Sequence, residues 1–167
     1  MDGRDITADR LRDVMIYDAE TGEFTWIRSI GSVRAGSRAG MLEKGYRRIK
    51  IDGRFYLAHR LAWLYMNGVW PASLIDHRNG DRDDNRWTNL RECNYQQNAQ
   101  NTASTSKGVS GLKGVHWHES TSKWRATIMR SGRNISLGLF LSKEAAHAAY
   151  VAAKSSVHEF QPVLRDA

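Results

Sequence analysis

Residues 73–98, SLIDHRNGDRDDNRWTNLRECNYQQN, decide how this chain is read. Two short apolar strand ends, around Leu74-Ile75 and Leu90, bracket a polar loop dense in Asp, Asn and Gly. A helix is expected from about Tyr95, with Asn94 as its cap. The order is therefore strand, loop, strand, helix. Asp76, His77, Asn89 and Asn98 stand inside it, and His59 lies upstream. Cutting a phosphodiester needs a group that activates water and a charge that stabilises the phosphorane and the leaving oxygen. A neutral imidazole meets the first need. A divalent ion held by a carboxylate and an amide oxygen meets the second. Asp76-His77 sits where a strand enters a loop, so both side chains can converge. Asn98, one helical turn past Asn94, can face back onto the hairpin. The spacing permits one cluster of Asp76, His77 and Asn98 without requiring it.

Working outward, residues 7–17 read as a helix capped by Thr7, with Leu11, Val14 and Met15 at helical spacing. EFTWI reads as a strand, and Gly31 to Gly40 as a mobile basic loop. Tyr46 to Ile51 and Phe55 to Ala58 read as a hairpin turning at Asp52-Gly53, and His59 to Met66 as a helix ended by Asn67-Gly68. In the central loop, Asp81, Asp83, Asp84 and Asn85 read as turn formers, and His59 as a packing residue at a helix start. Arg78, Arg82, Arg86 and Arg91 can touch phosphate, while Arg91 suits a buried ion pair equally well.

Charge is unevenly spread. The chain of 167 residues carries a net +7. Residues 21–58 hold eight cations against three acids, and residues 104–160 hold eight against three. The segment between them is neutral, with its carboxylates gathered at Asp76, Asp81, Asp83 and Asp84. Basic flanks suit a polyanion, and acids in the middle of a polyanion binder suit a metal ion. One cysteine, Cys93, excludes a disulfide framework and a cysteine-rich zinc cluster. No run of about 18 apolar residues predicts a membrane span. The first ten residues lack a signal-peptide pattern, which points to a cytoplasmic protein.

Past a Ser/Thr/Gly-rich linker at 104–112, three strands are expected in KGVHWHES, KWRATIMR and NISLGLF, with a turn at Ser131-Gly132. Ser142 should cap an alanine-rich helix whose Ala145, Ala149 and Ala153 form a close-packing stripe. Alternation puts Trp124, Ala126 and Ile128 on one face and Lys123, Arg125, Thr127 and Met129 on the other. The third strand should set Ile135, Leu137 and Leu139 opposite Asn134, Ser136 and Gly138. The free basic face suits a sheet laid into a DNA groove, and Arg130 and Arg133 at the turn suit phosphate.

The stretch HRLAWLYMNG with IDHRNGDRDDNRWTNLRECNYQQN resembles the HNH endonucleases of the phage and intron-homing type, over about residues 59–98. The resemblance implies a ββα-metal module in which His77 is the general base, Asp76 and Asn98 are metal ligands, and Asn89 braces the loop and helps to orient His77. One Mg²⁺ or Mn²⁺ per site is implied. Residues 113–154 resemble the DNA-binding domain of the plant ethylene-response-factor (apetala) family through Lys113-Gly114-Val115, Lys123-Trp124, Ser136-Leu137-Gly138 and the alanine helix. That resemblance implies DNA contacts from Lys113, His116, His118, Arg125, Thr127, Asn134 and Ser136. Where the plant domains hold Arg or Trp, this chain has His116, His118, Met129, Asn134 and Ser136, so the plant target sequence does not transfer.

The expectation is an α+β chain in four parts: an N-terminal helix and hairpin region over 1–58, a nuclease module over 59–103, the linker, and a three-stranded antiparallel sheet packed on one helix over 113–160. Its expected activity is metal-dependent cleavage of double-stranded DNA by a monomer or homodimer, in a host cytoplasm if phage-encoded. The alternative is a DNA-binding regulator with a silent nuclease fold.

Overall fold

The computed structural model describes residues 5–101, 109–158 and 160. The fold is α+β and divides into two compact units, Met1–Tyr95 and Gln96–Ala167. Among the described residues, no helix is long and apolar enough to cross a membrane.

In the first unit, Thr7 caps helix α1 (Ala8–Val14) by accepting the Arg10 N–H at 3.2 Å. The chain then changes period. Met15 and Tyr17 point inward and Ile16 outward, so the last three residues of the expected helix form strand β1 (Met15–Tyr17), antiparallel to β2 (Phe24–Trp26). Two-residue alternation wins because it buries Met15 against Trp26 and Tyr17 against Phe24. The loop after β2 is not free. The Gly36 N–H donates to the Trp26 carbonyl at 2.8 Å and the Ala39 N–H to the Phe24 carbonyl at 2.7 Å, which ties the basic stretch back along the strand.

Strands β3 (Met41–Glu43), β4 (Tyr46–Ile51) and β5 (Arg54–Leu57) form an antiparallel sheet in the order β3-β4-β5. The expected hairpin is its β4–β5 half. Asp52 and Gly53 both have positive φ, 48° and 83°, as a two-residue hairpin of this hand requires. Helix α2 (Ala58–Asn67) follows and stops where Gly68, at φ 75°, returns its N–H to the Leu64 carbonyl at 2.9 Å. Strands β6 (Leu74–His77) and β7 (Leu90–Cys93) pair antiparallel and carry the long polar loop between them. One core spans these elements, from Leu11, Met15 and Phe24 through Ile49 to Leu61, Leu64 and Leu90. Each such apolar side chain contributes roughly 1.5–3 kcal/mol by leaving water. The regions expected separately as 1–58 and 59–103 therefore share a core. Helix α3 (Tyr95–Asn101), expected as part of the nuclease module, falls almost wholly in the second unit.

In that unit, β8 (Val115–His118), β9 (Lys123–Arg130) and β10 (Arg133–Phe140) form an antiparallel sheet in the order β10-β9-β8, with helix α4 (Lys143–Val157) packed on it. Ser142 caps α4 by accepting the Ala145 N–H at 3.1 Å. Three details depart from expectation. The packing face of α4 is Ala146, Ala149 and Tyr150, while Ala145 is exposed, because Tyr150 fills the space a pure alanine stripe would leave. β10 bulges at Leu137: Ser136 pairs with Thr127 but Gly138 with Ala126. One extra residue flips the alternation, so Phe140 joins Trp124 on the helix side and Leu139 lies opposite Arg125. Of the expected linker, 104–108 lie outside the described residues. Ser110 is buried with its hydroxyl donating to the Val115 carbonyl at 2.7 Å, so the linker's end belongs to the fold.

Candidate active site

The β6–β7 register sets Asp76 directly across from Arg91 and His77 across from Leu90. Opposed charges on paired strands meet, and Arg91 donates to Asp76 Oδ2 from Nε at 3.0 Å and from Nη2 at 2.8 Å. Both side chains are largely buried, 7% exposed for Asp76 and 13% for Arg91. Arg91 thus takes the ion-pair role of the two left open by the sequence.

The loop after His77 is knotted by its own polar groups. The Asn79 N–H donates to Asn89 Oδ1 at 3.0 Å, while Asn89 Nδ2 donates to Asn79 Oδ1 at 3.0 Å and to the Asp84 carbonyl at 2.7 Å. Asp81 Oδ1 accepts the Asp83 N–H, and Asn79 Nδ2 donates to Asp84 Oδ2. Arg47 from β4 clamps Asp83 with two bonds of 2.8 and 2.7 Å. These acids are engaged by the loop's own turns and, for Asp83 and Asp84, by arginines. Asp84 is held below the usual carboxylate range chiefly by its bonds to Arg86.

His77 itself is buried, 4% exposed. Its Nε2 lies 3.2 Å from Oδ1 of Asn85, another buried residue. Burial lowers its pKa, opposed by the Asn85 bond and by the charges of Asp76, Asp84 and Asp81. The ring is therefore neutral at physiological pH, the form that can accept a proton. His59, early in α2, stands edge-on to it with ring centroids 5.0 Å apart, and Tyr46 from β4 leans on both rings. Burial, and then the proximity of His77 and Arg60, push the His59 pKa down to about 3. Two uncharged imidazoles and a phenol thus line one wall, beside a paired carboxylate.

Asn85, Tyr46 and Arg47 were not singled out by the sequence as site residues. Asn85 lay hidden in a run where every residue is a good turn former. Tyr46 and Arg47 come from a strand distant along the chain. Asn98 stands on α3, in the second unit. Among the described residues, no three His, Cys, Asp or Glu side chains gather so as to hold a metal ion. The buried Asp76 carboxylate is an oxygen donor of the kind a hard cation such as Mg²⁺ takes.

In the second unit, the register puts His116 beside Arg125, His118 beside Lys123, Thr127 beside Ser136 and Met129 beside Asn134. Cross-strand partners share a face, so seven of the expected contact residues stand together on the side away from α4. Arg130 and Arg133 pair at the hairpin tip, and alternation assigns them to the other face. Lys113 precedes β8, its carbonyl 3.2 Å from Nδ1 of His147.

Residues 56–100 match the family model described as HNH endonuclease. Protein 3.8 of Escherichia phage T7 is 32% identical over 84 residues, covering 48% of this chain and 69% of that protein. A solved structure, of DNA binding and cleavage by the HNH homing endonuclease I-HmuI, aligns with 87% of this chain and 85% of its own at a TM-score of 0.41 and 22% identity. The matched segment runs from the end of β5 into α3 and contains His59, the Asp76-His77 strand end and the asparagine-tied loop, and the chain belongs to the HNH endonuclease family.

Proposed function

We propose that this protein cuts double-stranded DNA by metal-dependent hydrolysis of phosphodiester bonds, with His77 as the general base. The observation that carries the reading is the buried His77 imidazole, held by Asn85 at the end of a strand whose preceding residue is a buried aspartate. His77 takes a proton from the attacking water. Arg91 fixes the Asp76 carboxylate in place, and Asn89 holds the loop that follows the base in one conformation. Asp76 and Asn98 would hold one Mg²⁺ or Mn²⁺, which when bound offsets negative charge on the scissile phosphate and the leaving 3′-oxygen. The products are a 5′-phosphate and a 3′-hydroxyl.

The sheet of the second unit grips the duplex. His116, His118, Lys123, Arg125, Thr127, Asn134 and Ser136 share its outward face, and the resemblance to the ethylene-response-factor domain supports that use. Arg130, Arg133 and Lys113 reach phosphate from its margins. One such site cuts one strand, so a monomer nicks and a homodimer cuts both. The phage relative supports a phage origin and action in the host cytoplasm. As organisation, we propose an N-terminal brace over 1–58, the HNH module over 59–103 and the grip over 113–160.

Supercoiled plasmid incubated with Mg²⁺, and in parallel with chelator, tests this. Relaxation in Mg²⁺ and none with chelator is expected. Equal cleavage in chelator contradicts the metal; binding without cleavage under any divalent ion returns the protein to the regulators.

A further inference from the structure

The segment matching the family begins at residue 56, yet the imidazole of His77 is set in part from far upstream. We infer that the turn at residues 17–22, acting through Asn85, positions His77 and determines which of its nitrogens carries the proton. This rests on the reading of His77 as the base.

Asn85 is almost wholly buried, 1% exposed. Its Nδ2 donates to the Asp83 carbonyl at 3.0 Å. A carbonyl only accepts, so the amide must turn its NH₂ to that side and its Oδ1 to the His77 ring. An amide oxygen only accepts as well. His77 Nε2, 3.2 Å away, is therefore the protonated nitrogen, and the neutral ring keeps its lone pair on Nδ1.

Residues 17–22 clasp the backbone around Asn85 and so fix the point from which its side chain reaches His77. The Tyr17 hydroxyl donates to the Asn85 carbonyl at 2.7 Å, and burial keeps that phenol protonated. The Trp87 N–H donates to the Ala19 carbonyl at 3.0 Å. Between these bonds Gly22 presses on the Asn85–Arg86 peptide so closely that a Cβ there would lie 2.4 Å from the Arg86 nitrogen. Gly22 has φ +77°, a conformation other residues rarely adopt, so both the contact and the turn demand glycine. Asp18 Oδ1 holds the turn itself, accepting the Glu20 N–H at 2.8 Å and the Thr21 N–H at 3.2 Å. Tyr17 and Gly22 thus act on His77 without touching it, and Asn85 is the positioning residue between.

Imidazole ¹⁵N NMR of the full chain reads the tautomer directly, above the titration of His77. The wild type should show His77 protonated on Nε2. Asn85→Leu should shift the ring toward the other tautomer and slow nicking at saturating DNA by about 10- to 100-fold, leaving DNA affinity unchanged. Asn85→Asp, which keeps an acceptor oxygen, should retain the wild-type tautomer, and Tyr17→Phe should produce a smaller shift in the direction of Asn85→Leu. A wild-type ring protonated on Nδ1, or a folded Asn85→Leu with an unmoved tautomer, overturns the inference. If Asn85→Leu does not fold, Tyr17→Phe decides, since an unmoved tautomer and rate there overturn it equally. Full cleavage by His77→Ala would sink the base assignment while leaving the tautomer result standing, so the two failures are separable.

Discussion

The β6–β7 hairpin and the β8–β10 sheet are both small antiparallel structures rich in polar side chains, and they use those side chains in opposite ways. In the hairpin the polar groups face one another. Asp76 meets Arg91, Asn89 meets Asn79 and the Asp84 carbonyl, His77 meets Asn85, and all of Asp76, His77, Asn85 and Asn89 are buried. In the sheet the polar groups face out: His116, Arg130, Arg133, Asn134 and Ser136 are exposed. Chemistry needs groups fixed to a fraction of an ångström, and internal bonding supplies that. A grip on DNA needs charge and reach, which free side chains supply at little cost in order. The contrast predicts that hairpin substitutions act on rate and stability, and sheet substitutions on affinity and its salt dependence.

The largest effect belongs to His77→Ala. Nicking should fall by roughly 10²- to 10⁴-fold, with DNA affinity by gel shift unchanged; near-wild-type nicking removes His77 as the base. Next is Arg91→Ala, which strands the buried Asp76 carboxylate. It should cost about 3–5 kcal/mol in denaturant unfolding, and much of that should return when Asp76→Asn is added. A cost under 1 kcal/mol would mean the pair is more solvated than its burial implies.

Acid comes third. His59 in the fold resists protonation down to about 3, whereas the unfolded chain takes the proton near 6.5. As pH falls the unfolded state binds first, so the stability this burial confers is complete above about 6.5 and erodes toward about 3, by on the order of 1 kcal/mol per pH unit. His77, shifted the same way, adds to the slope. Denaturation midpoints between pH 7 and 5 should fall accordingly and His59→Gln should flatten them; a level profile in the wild type contradicts the burial of the imidazole pair. The smallest effect is in the sheet. Arg125→Ala with Arg133→Ala should weaken binding and reduce the slope of log affinity against log salt by about one per lost phosphate contact. An unchanged slope would move the grip elsewhere on the molecule.

Much of this fold was legible along the chain. Turn residues with a required backbone hand, Asp52-Gly53 and Ser131-Gly132, mark two hairpins, and the Thr7 and Ser142 caps mark two helices. What escaped was set by partners distant in sequence. Met15–Tyr17 fits a helical spacing as well as an alternating one, and only β2 decides between them. Met41–Glu43 is exposed throughout and leaves no burial pattern to read. The bulge at Leu137 shows only in the pairing with β9. In the site, Asp76 and His77 stand out because a carboxylate and an imidazole at a strand end are conspicuous. Asn85 does not, because its place against His77 depends on Tyr17 and Gly22, more than sixty residues upstream.

Single-turnover cleavage at saturating DNA separates the two regions most directly. With every DNA molecule bound, the Arg125→Ala, Arg133→Ala protein should cut at the wild-type rate and the His77→Ala protein roughly 10²- to 10⁴-fold more slowly. A sheet variant that stays slow at saturation, or His77→Ala cutting at full speed, would contradict the division of labour between the buried hairpin and the exposed sheet.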